Sequence, residues 1–282
     1  MLRSLFAGIS GLRANQAMLD VTGNNIANAN TIGFKSSTTV FQDTLSQMLT
    51  AASGANANNG GTNPLQIGLG VQVGSTSTNF GQGSAQTTGR TTDMMLSGDG
   101  MFVVQDGSEM LYTRAGAFTF DENGTLVTST GNRVQGYKLD AAGNHTGGLV
   151  DVDLDTTGLG LPAGVKLTSY NISPDGKVHG LFSDGVARDM VQIAVADFNN
   201  PMGLEKVGDT SFRGSANSGA AQLGVAGEGR RGALVSGALE MSNVDLAAEF
   251  TNLILAQRGF QASSRVITTS DQVLEDLVNI KR

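Results

Sequence analysis

Apolar residues recur in sevens at both ends of this chain and in shorter, broken runs between them. Leu2, Leu5, Ile9, Leu12, Gln16, Leu19, Gly23 and Ile26 follow a heptad seam with two lapses, which predicts an amphipathic helix with one adhesive stripe. The stripe stops at Asn28-Ala-Asn-Thr-Ile-Gly33, where Asn and Gly tolerate the left-handed backbone that ends a helix. Near the other end Leu246, Leu253, Phe260, Ile267 and Leu274 recur at sevens, with Ala256, Leu277, Ser263 and Ser270 on the companion row. Those small residues leave room for another helix to come close. Ser242-Asn-Val-Asp245 reads as a capping box, Ser242 accepting from an orphan N–H while Asp245 favours the positive helix end. At 1.5 Å per residue the C-terminal helix runs about 60 Å.

Between the ends, Asp99-Gly100, Asp106-Gly107, Asn123-Gly124, Asp175-Gly176 and Asp184-Gly185 supply tight-turn dipeptides beside strand-like runs such as Phe102 to Val104 and Leu111 to Phe120. In Pro174-Asp175-Gly176 the Pro presets the first central angle and the Gly accepts a positive one. The middle is therefore read as mainly antiparallel β, and the fold class as α+β, with two terminal helices pairing as a coiled-coil-like module. Residues 51–63 are low-complexity and polar, and Gly214 to Gly232 are rich in Gly, Ala and Ser, which predicts adaptable connectors. The expected division is a helix at 1–33, a connector at 34–75, a β-rich domain at 76–213, a second connector at 214–241 and a helix at 242–282 that forms one module with the first.

Composition narrows the function. The 39 glycines against 12 Phe, 3 Tyr and no Trp indicate many turns and thin cores. Net charge is −7, and the 18 basic residues form no Lys/Arg run, so the electrostatic footprint of a nucleic-acid binder is missing. With no cysteine, disulfides, thiolate metal sites and a Cys nucleophile are excluded. The first residues are broken by Gly8, Ser10, Gly11 and Arg13 and do not read as a cleavable signal peptide. No stretch reaches the length of a membrane span, so membrane insertion is not expected.

A search for catalytic, cofactor or metal chemistry returns nothing that outweighs a structural explanation. His145 and His179 read as exposed turn histidines. Gly227-Glu-Gly-Arg-Arg-Gly232 matches a dinucleotide fingerprint literally, but no hydrophobic strand is expected before it and Glu228 would meet the phosphate; it reads as a linker. Asp151-Val-Asp-Leu-Asp155 opens like a calcium loop, yet Thr156 stands where Gly is needed and Pro162 where Glu is needed. A strand with Val150, Val152 and Leu154 inward accounts for the same letters. No enzyme is expected, and no cofactor.

A single apolar stripe on an N-terminal helix returns less than the backbone entropy lost in ordering it, and a two-helix hairpin leaves its flanks exposed. Both ends are therefore expected to be disordered or mobile in the free monomer and to fold together as they pack among identical subunits, which makes assembly the function.

Several of these residues are similar to a known set. Asn24-Asn-Ile-Ala-Asn-Ala-Asn-Thr-Ile-Gly-Phe-Lys35 and Ser242-Asn-Val-Asp-Leu246 with Gln257-Arg258 resemble the paired terminal signatures of bacterial flagellar rod and hook proteins. The motif positions are Asn24, Asn25, Asn28, Gly33, Phe34, Ser242, Asn243, Asp245, Gln257 and Arg258. Thr92-Asp93, Gly98 to Val104, Tyr112 to Phe118 and Gly131 to Tyr137 extend the likeness over nearly the whole chain. Asn63 to Val71 and Asp197 to Gly208 look more like a hook protein, while 282 residues is nearer the size of a distal rod subunit. The resemblance implies a tube of many copies lined by the terminal helices. In a hook that tube is a flexible joint carrying torque to the filament; in a distal rod it is a rigid shaft. It also implies export, without a cleaved signal, through the flagellar type III apparatus, and contacts with rod, hook-cap and hook-filament junction proteins. Phe41 and Leu45 look like the short motif read by the export gate. A secreted cell-wall hydrolase with similar ends is the third reading.

Overall fold

The computed structural model describes residues 2–54, 60–140, 143, 145–154 and 167–280. It has the α+β composition expected: one helix at each end and antiparallel ladders between them. The chain divides into two compact units. The first comprises Met1–Ala27, Ser37–Thr78 and Val244–Arg282, and the second Asn28–Ser36 and Asn79–Asn243.

In the first unit α1 (Leu2–Ala27) and α2 (Leu246–Ile280) pair, and α2 spans 35 residues, or about 52 Å. The other part is a twisted ribbon, β1 (Ser37–Asp43) against β4 (Val71–Thr78) and β2 (Ser46–Thr50) against β3 (Leu65–Gly68). A bulge at Val40/Phe41 interrupts its register. The stretch expected as a plain connector thus carries four strands; runs of Ser and Thr such as Ser37 to Thr39 and Ser75 to Thr78 are as compatible with a solvated ribbon as with a linker. Of the low-complexity run, residues 55–59 lie outside the described residues.

The second unit holds β5 (Ala85–Thr87), β6 (Met94–Ser97), β7 (Met101–Asp106), β8 (Glu109–Thr113), β9 (Phe118–Phe120), β10 (Leu126–Thr128), β11 (Arg133–Leu139) and β12 (His145–Asp151). After them come β13 (Leu167–Ile172), β14 (Lys177–Phe182), β15 (Ala187–Asp197), β16 (Glu205–Gly208), β17 (Ser211–Arg213), β18 (Gln222–Val225), β19 (Ala233–Ser236) and β20 (Ala238–Glu240). The main sheet runs β13-β14-β15-β11-β7-β8-β17-β16. Strands β7 and β15 are buried on both faces. Phe102 and Val104 meet Ile193 and Val195 in one core, while Met101, Val103, Ala194 and Ala196 join Tyr112 and Phe198 in another. A strand covered on both sides reads as a continuous apolar run, which is why Val191 to Phe198 lacks the alternation of a half-exposed strand.

The turn dipeptides act as predicted. Gly107 (φ 58°) closes the β7–β8 hairpin and Gly176 (φ 85°) closes β13–β14, in a backbone region where a Cβ is strained. The second expected connector, 214–241, contains β18, β19 and β20. Of the Asp-rich stretch, Val152 is fully buried and Leu154 packs against the core, but Val150 is 37% exposed, a correction to the inward placement expected of it. It lies on β12, opposite Gly136 of β11, which has no side chain to pack beside it. Asp155, Thr156 and Pro162 lie outside the described residues.

Candidate assembly surface

Within the first unit the helices meet along small residues. A Cβ on Gly8 would lie 3.1 Å from Ile267, one on Gly11 2.9 Å from the Ser263 hydroxyl, and one on Gly259 2.4 Å from Asn15. Ser4 and Ser270 hydroxyls lie 3.4 Å apart on the same line. Antiparallel helices approach this closely only where side chains are absent or short. On α2 the inward row is Leu253, Ala256, Phe260, Ser263, Ile267, Ser270 and Leu274, all half-buried or buried. On α1 Leu5, Ile9, Leu12, Leu19 and Ile26 are half-buried, while Gly8, Ala14, Thr22 and Asn25 are buried. Leu2 belongs to α1.

Most of the heptad seam therefore faces its own partner helix, and what stays open is a different set. Phe6 is 63% exposed, Phe250 51%, Ile254 55% and Leu255 59%. Val266, Val273 and Ile280 repeat at sevens along a second row and are likewise exposed, as are Leu246 and Leu277 at the ends of the first. The Val266/Val273/Ile280 row was legible as a second heptad; the stronger Leu/Phe row masks it. Together these residues make a long apolar surface on paired helices, far more than scattered single exposures.

The helix start is set differently from the expected capping box. Asp245 is the cap: its Oδ1 accepts the N–H groups of Ala247 (2.9 Å) and Ala248 (3.3 Å), and its carbonyl accepts from Glu249. Ser242 lies three residues too early to reach those orphan groups. Asn25 is 1% exposed; its Oδ1 accepts the Ser37 N–H, and its Nδ2 donates to Ser37 O and Glu249 Oε1. Asn24, Gln257 and Arg258 are exposed.

The remaining motif residues organise the second unit where its segments end. Asn243 Oδ1 accepts the Ser36 N–H, and its Nδ2 donates to Asn79 O and Gly81 O. Asn28 accepts from Thr31 through both side chain and carbonyl. Gly33 (φ 68°) packs so tightly that a Cβ would lie 2.4 Å from Ala115 N, and its N–H donates to Glu240 O. Phe34 is buried with the Lys206 ammonium 4.9 Å over its ring. Beside it Lys35 Nζ donates to Glu240 Oε1 at 2.7 Å, and Arg114 Nε lies 3.4 Å from Glu240 Oε2, all three side chains nearly free of solvent. Burial lowers Lys35 below its ordinary value, opposed by the hydrogen bond and charge of Glu240; burial likewise lowers Arg114. This triad was not singled out in the sequence, where three charges far apart carry no sign of meeting.

His145 is exposed at the start of β12. His179 is not in a turn: it sits within β14, half-buried, against Ser173 and Asp189. Strand β18 does precede Gly227 to Gly232, contrary to expectation, but strand β19 follows, so no helix N-terminus is present to hold phosphate. Among the described residues no cluster of His, Asp or Glu suits a metal ion, and no helix is long and apolar enough to cross a membrane. Phe41 (39%) and Leu45 (83%) are exposed on and just after β1.

Three family models match. Residues 5–35 fit "Flagella basal body rod protein", 95–180 "Flagellar hook protein FlgE/F/G D1 domain" and 235–280 "Flagellar basal body rod FlgEFG protein C-terminal". The chain is 46% identical over 283 residues to the flagellar basal-body rod protein FlgG of Bacillus subtilis. It is 30% identical over 441 residues to the flagellar hook protein FlgE of Borreliella burgdorferi, and 34% over 287 residues to the rod protein FlgG of that organism. In all three alignments 100% of each chain is covered.

Proposed function

The chain belongs to the flagellar rod and hook protein family, and from this premise we propose that it is the subunit of a flagellar hook. It is a structural component of the bacterial flagellum, in the hook and basal-body axis. In the hook reading, copies assemble into a bendable helical tube that passes motor torque to the filament. The open apolar rows of α1 and α2 carry the assembly half of this reading, because a paired helix surface of that kind is stable when further helices cover it.

Two relatives from one organism support hook over rod. With its hook protein, 30% of 441 aligned positions gives about 132 identities; with its rod protein, 34% of 287 gives about 98. The hook alignment also contains at least 159 positions (441 less 282) with no residue here, as expected where a relative carries an extra domain. The specific observation favouring a distal rod is the Bacillus subtilis rod protein, with about 130 identities (46% of 283) and matching length.

In the proposed tube the helices of 1–33 and 242–282 form the inner wall and the β-rich 76–213 the exterior. Its partners are further copies, the rod below, the cap during growth, junction proteins above and the export apparatus, which reads Phe41 and Leu45. Imaging of purified basal bodies with this protein labelled tests the assignment. Label on curved tubes outside the envelope supports the hook, and label confined to a straight shaft within it overturns the hook in favour of the rod.

A further inference from the structure

Ser173, His179 and Asp189 stand in the order of a hydrolase triad, and their proton count decides what they do. His179 Nδ1 is hydrogen-bonded to Asp189 Oδ1, and His179 Nε2 lies 2.9 Å from Ser173 Oγ. The serine has a second partner, Asp175 Oδ1. A carboxylate only accepts, so the one serine proton goes to Asp175. Burial would raise Asp175, but the Ser173 hydroxyl, its own N–H, Lys177 and His179 together hold it below the usual range, so it is ionised. Ser173 Oγ must then accept from the ring, and Asp189 must accept from the other ring nitrogen.

We propose that His179 carries both ring protons and is the centre of a proton-dependent tether fastening the sheet edge at β13 to β15. The ring of His179 donates to Asp189 on one side and to Ser173 on the other, and Ser173 in turn donates to Asp175. The surrounding charges agree. Lys177 Nζ lies 3.4 Å from Asp189 Oδ2, so two carboxylates face one ammonium, and the imidazolium brings the cluster to neutrality. Arg188, next on β15, is engaged by Asp184, and His145 borders the same concavity as Asp175 and Lys177. The register places the cluster where it ties three strands. His179 is opposite Asp189 beside a bulge in the β14–β15 ladder, and Ser173 begins the turn from β13, which pairs with β14 alone among the described strands. Loss of the second ring proton leaves one link with two acceptors facing each other, so the turn and β13 loosen. A serine that donates to Asp175 has no proton for the ring to take, which removes the nucleophile from the triad reading.

Nitrogen-15 spectra of the full-length chain test the charge state. Below about pH 6 both His179 ring nitrogens are expected at protonated positions. Hydrogen exchange over Leu167–Phe182, corrected for intrinsic rates, is expected to speed up about tenfold between pH 6 and pH 9, and His179→Gln is expected to abolish that dependence. Ser173→Ala, which keeps the ring on Asp189, should retain only part of it. An unprotonated Nε2 in the spectra, equal pH dependence in His179→Gln, or labelling of Ser173 by a fluorophosphonate probe would each overturn the tether.

Discussion

Glu240 is where single side chains matter most. It is fully buried with Lys35 and Arg114, two cations on one carboxylate, and it also accepts the Gly83 N–H at 2.9 Å. Glu240→Gln keeps the shape but leaves Lys35 without a counter-charge and Arg114 with Asp99, and should destabilise the second unit by about 3–5 kcal/mol in chemical denaturation. Gly33→Ala meets a different barrier. Its backbone is left-handed and the new methyl would collide with the Ala115 backbone, so a loss of about 1–3 kcal/mol is expected by the same measurement. The motif letters around Gly33 and Asn243 were visible in the sequence. Their reason was not, because it lies in partners tens to hundreds of positions away, such as Glu240 for Gly33 and Ser36 for Asn243.

At the scale of elements, the two helices separate an inward face from an outward one. The inward face holds Ser263, Ile267 and Gly259 against Gly11, Gly8 and Asn15, so a bulky replacement there acts on the helix pair itself. Gly11→Leu should part the helices and lower the thermal midpoint of the first unit. The outward face gives the opposite outcome. Ile254→Asp with Leu255→Asp changes exposed positions, and should leave helix content and thermal unfolding of the monomer unchanged while abolishing polymerisation followed by light scattering. The helix boundaries and the period were legible from Leu2 to Ile26 and from Leu246 to Leu274. Which side of each helix meets which partner was not, since a heptad row states that a face is sticky without stating what covers it.

For the whole molecule, the decisive expectation is that assembly and folding of the β-rich part are separable. The second unit has its own cores, around Phe102 and Ile193 and around Met101 and Phe198, built from its own strands. Removal of 246–282 should leave these strands folded by circular dichroism, and electron microscopy should find no tubes; filaments from the truncated chain would contradict the assembly role of α2.

The sequence by itself determined the elements that depend on neighbours along the chain: helix period, Gly turns and the stop after Ala27. These are set by backbone sterics and by side chains a few positions apart. Tertiary structure decided the rest. It turned the expected connectors into paired strands, gave the α2 cap to Asp245 instead of Ser242, drew Lys35, Arg114 and Glu240 into one buried cluster, and moved His179 from a turn into a strand between Ser173 and Asp189. Each outcome depends on contacts between distant segments, which burial and hydrogen-bond satisfaction select only once the chain is folded.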